Sequence, residues 1–272
     1  MTWISLRITP DTNRDGVIAA LFESGSQGVQ EDGPIVVTHF PAGARIADIR
    51  DAVIQADPQA AIDIAEAPDA DYAQWRASVS PHEVGDLVIT PPWLASEYDP
   101  RQRIIIDPAM AFGTGEHPTT RGAIRLMHGV VRLGDVVADL GAGSAVLSIA
   151  AVRLGAARVA AVEIDHDSIG NAEENVRANG VSEQIEIIEG EATIILPLLA
   201  PVRLVLANII SSVLLGMLPA IKDALSAGGQ AILSGILTEE RDAMVAALGS
   251  GGWTIDREDT EDLWWSVQIA PR

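Results

Sequence analysis

Apolar and polar residues alternate from Trp3 to Ile8, the pattern of a strand with one buried face. From Asp11 to Phe22 the apolar residues recur at helical spacing. Gly28-Val29-Gln30-Glu31 and Ile35-Val36-Val37 then predict two short strands around a turn at Asp32-Gly33-Pro34. Helical spacing returns over Ala44 to Gln55, and Ala61 to Ala65 reads as a strand. The order β-α-β-β-α-β is that of a ferredoxin-like split unit, expected over residues 1–67. Its histidines and acids are isolated, so it is expected to recognise or to pack rather than to react.

Ala67-Pro68-Asp69-Ala70-Asp71 breaks the pattern, and a short helix around Tyr72 to Ala77 is expected to form a linker over residues 68–80. A second domain is expected over residues 81–272, opening with extended stretches at Leu87 to Pro91 and Arg103 to Ile106. From Val136 onward, strands and helices alternate. Val136 to Leu140, Val159 to Ile164, Ile185 to Ile188, Leu204 to Ala207 and Ala231 to Ser234 are near-continuous apolar runs. Such runs belong to a parallel sheet covered on both faces. Trp253 to Ile255 and Trp264 to Ile269, separated by an acidic turn at Asp259 to Asp262, predict a closing antiparallel hairpin. The expected class is α/β, with a small α+β unit in front.

Composition narrows the function classes. The 272 residues hold no cysteine, which excludes disulfides and thiolate metal sites and fits a cytoplasmic protein. No apolar run of about eighteen residues is present, so no membrane span is expected. Met1-Thr2-Trp3-Ile4-Ser5-Leu6-Arg7 also lacks the basic-then-apolar layout of a secretion signal. The formal net charge is −20, and direct nucleic-acid binding is disfavoured because phosphate recognition needs clustered Lys and Arg. A basic protein partner is favoured by charge, although a negative surface also keeps a protein soluble with no partner at all.

The sharpest local signal is Asp139-Leu140-Gly141-Ala142-Gly143-Ser144-Ala145, after the first apolar strand of the larger domain. Glycines there let the backbone turn tightly and approach a ligand at a helix N-terminus. A dinucleotide loop, G-x-G-x-x-G, would need glycine at Val146 and is spoiled by that branched side chain. The acid-x-G-x-G-x-G pattern of S-adenosylmethionine enzymes is matched by Asp139, Gly141 and Gly143, with Ala145 at its last position. Alone, the loop is also compatible with a plain strand-to-helix turn. Three later strand ends add weight. Glu163 ends the next strand, about twenty residues on, where a carboxylate can accept from both ribose hydroxyls. Glu191 comes just after the third strand, where an acid can take an adenine amino group, and Asn208 ends the fourth. All fall at carboxyl ends of parallel strands, where ligands of open α/β sheets bind.

The second signal is Asp107-Pro108-Ala109-Met110-Ala111-Phe112-Gly113-Thr114-Gly115-Glu116-His117-Pro118-Thr119-Thr120. Phe112 offers an apolar face, the glycines let the loop fold over a ligand, and Pro118 suits a first helical turn. A threonine here can cap that helix or bond the methionine end of a cofactor. His117 has no acid at a matching offset and is expected to be a loop or capping histidine. His39, His82, His128 and His166 show no metal-ligand spacing, so no metal is expected.

The 107–120 stretch closely resembles the D-P-G-x-A-F-G-T-G-x-H-P-T-T signature of the ribosomal protein L-11 methyltransferase family. Gly25-Ser26-Gln27-Gly28-Val29-Gln30-Glu31-Asp32 is similar to its N-terminal motif, Val205 to Ile210 to its V-A-N-I-L, and Ser234-Gly235-Ile236-Leu237 to its S-G-I-L. The resemblance covers nearly the whole chain. It implies a ferredoxin-like domain that grips the ribosomal protein, a helical linker, and a seven-stranded Rossmann-like class I methyltransferase domain. S-adenosylmethionine is the implied cofactor and L-11 the implied substrate, methylated on lysine and N-terminal amines. Carried onto matching motifs, the cofactor positions fall on Thr120, Gly141, Glu163 and Asn208; the residues themselves add Gly143 and Glu191. Asn208 is expected to orient the amine. The sequence departs from the family pattern at Ala145 for glycine, Glu163 for aspartate and Glu116 for a small or variable residue. Two other readings stay open: a methyltransferase of this fold acting on another protein or a small molecule, and a non-catalytic cofactor-binding relative.

Overall fold

The computed structural model describes residues 3–26, 29–41, 43–67, 79–107, 115 and 117–272. The expected linker helix, Phe112 and most of the 107–116 segment lie outside the described residues. The chain forms two compact units, Met1–Val79 and Ser80–Arg272.

In the smaller unit the strands β1 (Trp3–Thr9), β2 (Val29–Asp32), β3 (Ile35–Pro41) and β4 (Ala61–Ala67) form one sheet in the order β2-β3-β1-β4. All its pairings are antiparallel. Helices α1 (Arg14–Glu23) and α2 (Ile46–Ala56) complete the β-α-β-β-α-β order of a ferredoxin-like unit. The period-two pattern sends Leu6 and Ile8 inward with Val36 and Phe40, where they meet Val17, Leu21, Ile49 and Val53 from the helices.

Helix α1 starts later than the apolar spacing predicts, because Asp57 captures the preceding backbone. Its Oδ2 accepts from the amides of Asp11, Thr12 and Asn13 at 2.8, 2.9 and 3.0 Å. Asn13 then caps the helix, its Oδ1 accepting from the Gly16 amide at 3.1 Å. Asp57 is fully buried.

The larger unit opens with β5 (His82–Val84), β6 (Leu87–Thr90) and β7 (Arg103–Ile105), a separate sheet in which β6 and β7 run parallel. Helix α3 (Pro118–Met127) leads into the main alternation. This comprises β8 (Val136–Leu140), α4 (Val146–Arg153), β9 (Arg158–Glu163), α5 (His166–Ala178), β10 (Ile185–Glu189), α6 (Ala192–Leu199), β11 (Val202–Asn208), α7 (Ser211–Ala224) and β12 (Leu225–Leu237). Helix α8 (Arg241–Ser250) and the hairpin β13 (Trp253–Glu261) and β14 (Trp264–Pro271) close the chain. The sheet has seven strands in the order β10-β9-β8-β11-β12-β14-β13. The first five are parallel, and β14 is antiparallel to both neighbours.

Two apolar layers explain the near-continuous strand sequences. Val137, Val159, Leu204 and Leu206 face a core shared with Ile124, Met127 and Ile149. Ala138, Val162, Val205 and Leu233 face the other, with Leu214, Ile221, Trp253 and Trp265. The acidic run at 259–262 departs from expectation. Asp259 to Glu261 end β13, and only Asp262 belongs to the two-residue connection, which it forms with Leu263. The run tolerates the ladder because α3 neutralises it: Arg125 bonds both oxygens of Asp259 at 2.8 and 2.6 Å and reaches Glu261 at 2.6 Å, while Arg121 pairs with Glu261. No helix among the described residues is long and apolar enough to cross a membrane.

Candidate functional site

The order of the main sheet reverses between β8 and β11, whose chains lead away in opposite directions. That is where a crevice opens beyond the carboxyl ends of parallel strands. The segment after β8 turns into α4 through three left-handed residues, Gly141 (φ 69°), Gly143 (φ 52°) and Ala145 (φ 63°). The glycines take this conformation without strain; Ala145, fully buried, carries a Cβ in it at a cost of about 1 kcal/mol. The amides of Gly141 and Ala142 bond Val162 O on β9 at 2.9 and 3.0 Å, fixing the loop to the neighbouring strand.

Glu163 ends β9 with 8 % of its surface exposed, and its carboxylate organises the loops around it. Oε2 accepts from the Gly143 amide at 2.7 Å, and Oε1 accepts from the amides of Ile164 and Asp165 at 2.8 and 2.9 Å. A carboxylate offers about four acceptor positions, so three backbone donors hold it in place and leave capacity for a ligand. Below it, Asp139 is buried on β8 and accepts from Ser148 Oγ at 2.6 Å. Burial pushes its carboxyl up to about 6, against the opposing effect of the Ser148 bond and with a smaller push from the Glu163 charge.

Gly141, Gly143, Glu163 and Asn208 line one cleft of about 190 Å³, together with Asp165 and Ser168 at the start of α5. Asp165 caps α5, accepting from the Asp167 amide at 3.1 Å and from Ser168 Oγ at 2.8 Å. Sequence reasoning passes over Asp165 and Ser168, although Asp-x-x-Ser before a helix is a recognisable capping signal. Asn208, at the end of β11, brings a buried Oδ1 with no hydrogen-bond partner among the described residues. A buried acceptor left unmatched costs on the order of 1–3 kcal/mol, so such an atom is completed by an ordered water or by a ligand.

The loop bearing Asn208 is held from β12. The Ile209 amide bonds Ser234 O at 3.1 Å, and Ser234 Oγ bonds Thr119 O at 2.9 Å and Ser266 Oγ at 2.7 Å. Gly235 has φ 85°, and a Cβ there would lie 2.6 Å from Ile209 O. Glycine is therefore required at this position by both conformation and space, which explains the Ser234-Gly235 pair in physical terms.

Thr120 lies in the first turn of α3, fully buried, and its Oγ1 has no partner among the described residues. It does not line the cleft, but the Ser234 bond to Thr119 ties its turn to the same end of the sheet. His117 caps α3, its Nδ1 2.7 Å from Thr119 Oγ1, and its ring meets Trp264 edge-on at 4.8 Å. Burial, then the Arg121 charge, lowers its pKa. Glu191 lies two residues beyond β10, exposed at the N-terminus of α6, where it accepts from the Thr193 hydroxyl. It does not line the cleft either.

Comparisons with known proteins bear on the family and the fold. Residues 19–271 match the family model described as Ribosomal protein L11 methyltransferase (PrmA). A ribosomal protein L11 methyltransferase of Synechococcus sp. (strain RCC307) is 37 % identical over 74 % of this chain and 69 % of its own. One from Lacticaseibacillus paracasei is 30 % identical over 96 % of both chains. The crystal structure of a ribosomal protein L11 methylase from Lactobacillus delbrueckii subsp. bulgaricus superposes with a TM-score of 0.64 at 30 % identity. It covers 71 % of this chain and 100 % of that one.

Proposed function

The chain belongs to the ribosomal protein L11 methyltransferase family, and from that premise we propose that it methylates L11 on lysine and N-terminal amines, using S-adenosylmethionine. The observation that carries this reading is the buried, unmatched Asn208 Oδ1 in a cleft shared with the glycine loop and Glu163. The residues present fit the cofactor. Glu163 keeps acceptor capacity for ribose hydroxyls, Gly141 and Gly143 line the cleft with backbone alone, and Thr120 Oγ1 is a second buried polar atom that a ligand would complete. Glu191, exposed and beyond the cleft lining, is the most peripheral of the proposed contacts and would reach only the outer edge of an adenine.

When bound, S-adenosylmethionine supplies a methyl group already activated by its sulfonium. What remains for the protein is the amine. A lysine with pKa near 10.4 is ammonium at neutral pH, and removing that proton costs about 5 kcal/mol. A half-buried site mouth lowers this cost by disfavouring the charged form. Asn208 Oδ1 is an acceptor in need of a donor, and an amine N–H satisfies it while fixing where the nitrogen lone pair points. Alignment of this kind is a principal source of rate in a direct displacement. The small unit would grip the substrate, and the net charge of −20 favours a basic ribosomal protein.

The test is the intact mass of unmodified L11 after incubation with the purified protein and S-adenosylmethionine. Stepwise methyl additions are expected. An unchanged mass, with cofactor binding verified separately, would contradict the substrate assignment.

A further inference from the structure

Asn175 sits in the interior of α5 with 2 % of its surface exposed, a place where asparagine is a poor helix former. Its side chain is occupied by two segments far apart in the chain. Nδ2 donates to Ser144 O in the glycine loop at 3.0 Å and to Asn171 Oδ1 at 3.1 Å. Oδ1 accepts from the Asp107 amide at 3.0 Å, where the 107–120 segment begins. One turn further along, Asn179 Oδ1 accepts from the Ile105 amide at 2.8 Å, and its Nδ2 donates to Ile105 O at 2.7 Å.

The spacing has a geometric cause. Four residues of helix rise about 6 Å, and two residues of strand advance about 6.6 Å. Asparagines one helical turn apart therefore meet alternate residues of an extended chain. Strand β7 is at the edge of its sheet, and α5 stands in for the missing neighbour. Asn179 holds that strand, with Arg153 bonding Asn179 O at 2.9 Å and Arg103 O at 3.2 Å. Asn175 does something different, because its second hand is on the glycine loop.

We propose that Asn175 is a positioning residue of the cofactor site: it ties the glycine loop, through Ser144, to Asp107 just beyond β7, and so holds that loop in the register that meets the cofactor. This rests on the S-adenosylmethionine reading of the cleft. Asn175 touches neither cofactor nor substrate in this role, and its effect is transmitted through Ser144 and Asp107.

The experiment compares full-length Asn175→Ala, Asn175→Asp and Asn179→Ala, titrating each with S-adenosylhomocysteine and following amide hydrogen exchange at Asp107. Asn175→Ala should weaken binding about tenfold and accelerate exchange at Asp107, since the Asp107 amide and the Ser144 carbonyl each lose a hydrogen bond to it. In turnover assays KM for S-adenosylmethionine should rise more than kcat falls. Asn175→Asp keeps the volume and the acceptor for Asp107 but loses the donor to Ser144. It should bind weakly while Asp107 stays protected, and it carries the test if the alanine variant fails to fold. Asn179→Ala should lower the melting temperature and leave affinity unchanged. Unaltered binding by both Asn175 variants, or equal weakening by Asn179→Ala, would overturn the proposal. A wild-type protein that does not bind S-adenosylhomocysteine would overturn the cofactor reading instead, and exchange at Asp107 would still decide whether the clamp exists.

Discussion

Each unit buries an aspartate, and the two are treated in opposite ways. Asp57 in the small unit is surrounded by donors: the amides of Asn13 and Thr12, then those of Asp11 and Gln59, lower its pKa to about 2. Asp139 in the large unit has the Ser148 hydroxyl, little else and the Glu163 charge nearby, so burial raises its pKa to about 6. The first is what a folding scaffold requires, a charge whose partners are complete before any ligand arrives. The second belongs to a region where polar groups are incompletely matched, as are Asn208 Oδ1 and Thr120 Oγ1. The contrast separates a unit built to be finished from one built to be completed by something else.

The contrast can be broken most severely at Asp57. Asp57→Ala strips the acceptor from four backbone amides and should unfold the small unit first, seen as loss of exchange protection in β1 and β3 with the large unit intact. Next comes Gly235→Ala, whose Cβ would strike Ile209 O in a left-handed backbone. A loss of about 4 kcal/mol is expected in chemical denaturation, with weakened cofactor binding because the Asn208 loop must shift.

The titrations sharpen the comparison. Asp57 has a depressed folded pKa, so its contribution is full above the ordinary value of 3.8 and is lost as pH falls toward about 2. Asp139 has a raised one, so its own contribution to stability is full below 3.8 and is lost as pH rises through about 6. The loss should amount to about 2–3 kcal/mol and vanish in Asp139→Asn, measured by denaturation across that range. Smallest of all is Ala145→Gly. Relief of the left-handed Cβ, offset by greater unfolded-chain entropy, should leave a gain of about 0.5 kcal/mol.

How much of the structure is legible in the sequence depends on the range of the interactions involved. Strands covered on both faces, such as Val136 to Leu140 and Leu204 to Ala207, announce themselves because their pattern is local. The start of α1 is misjudged because the residue that takes its leading amides, Asp57, lies 44 to 46 positions downstream. The acidic end of β13 looks like a turn because its neutralising arginines are 134 to 140 positions away. In the site, Gly141, Gly143, Glu163 and Asn208 share a cleft because each ends a parallel strand or lies just beyond one, a placement readable from order alone. Glu191 obeys the same rule, yet it sits in solvent at the start of α6. A strand end fixes height in the sheet, while side-chain direction depends on the turn that comes next. The reason for Gly235 is hidden for a related cause: the backbone it must clear belongs to Ile209, beyond the neighbouring strand.

If the unmatched Asn208 acceptor serves the amine, Asn208→Ala should slow methyl transfer itself. Methylation of L11 by the variant and by wild type should be followed by intact mass, with cofactor affinity measured alongside. Turnover about a hundredfold slower at saturating cofactor is the expected result. Full turnover by the variant would contradict the account.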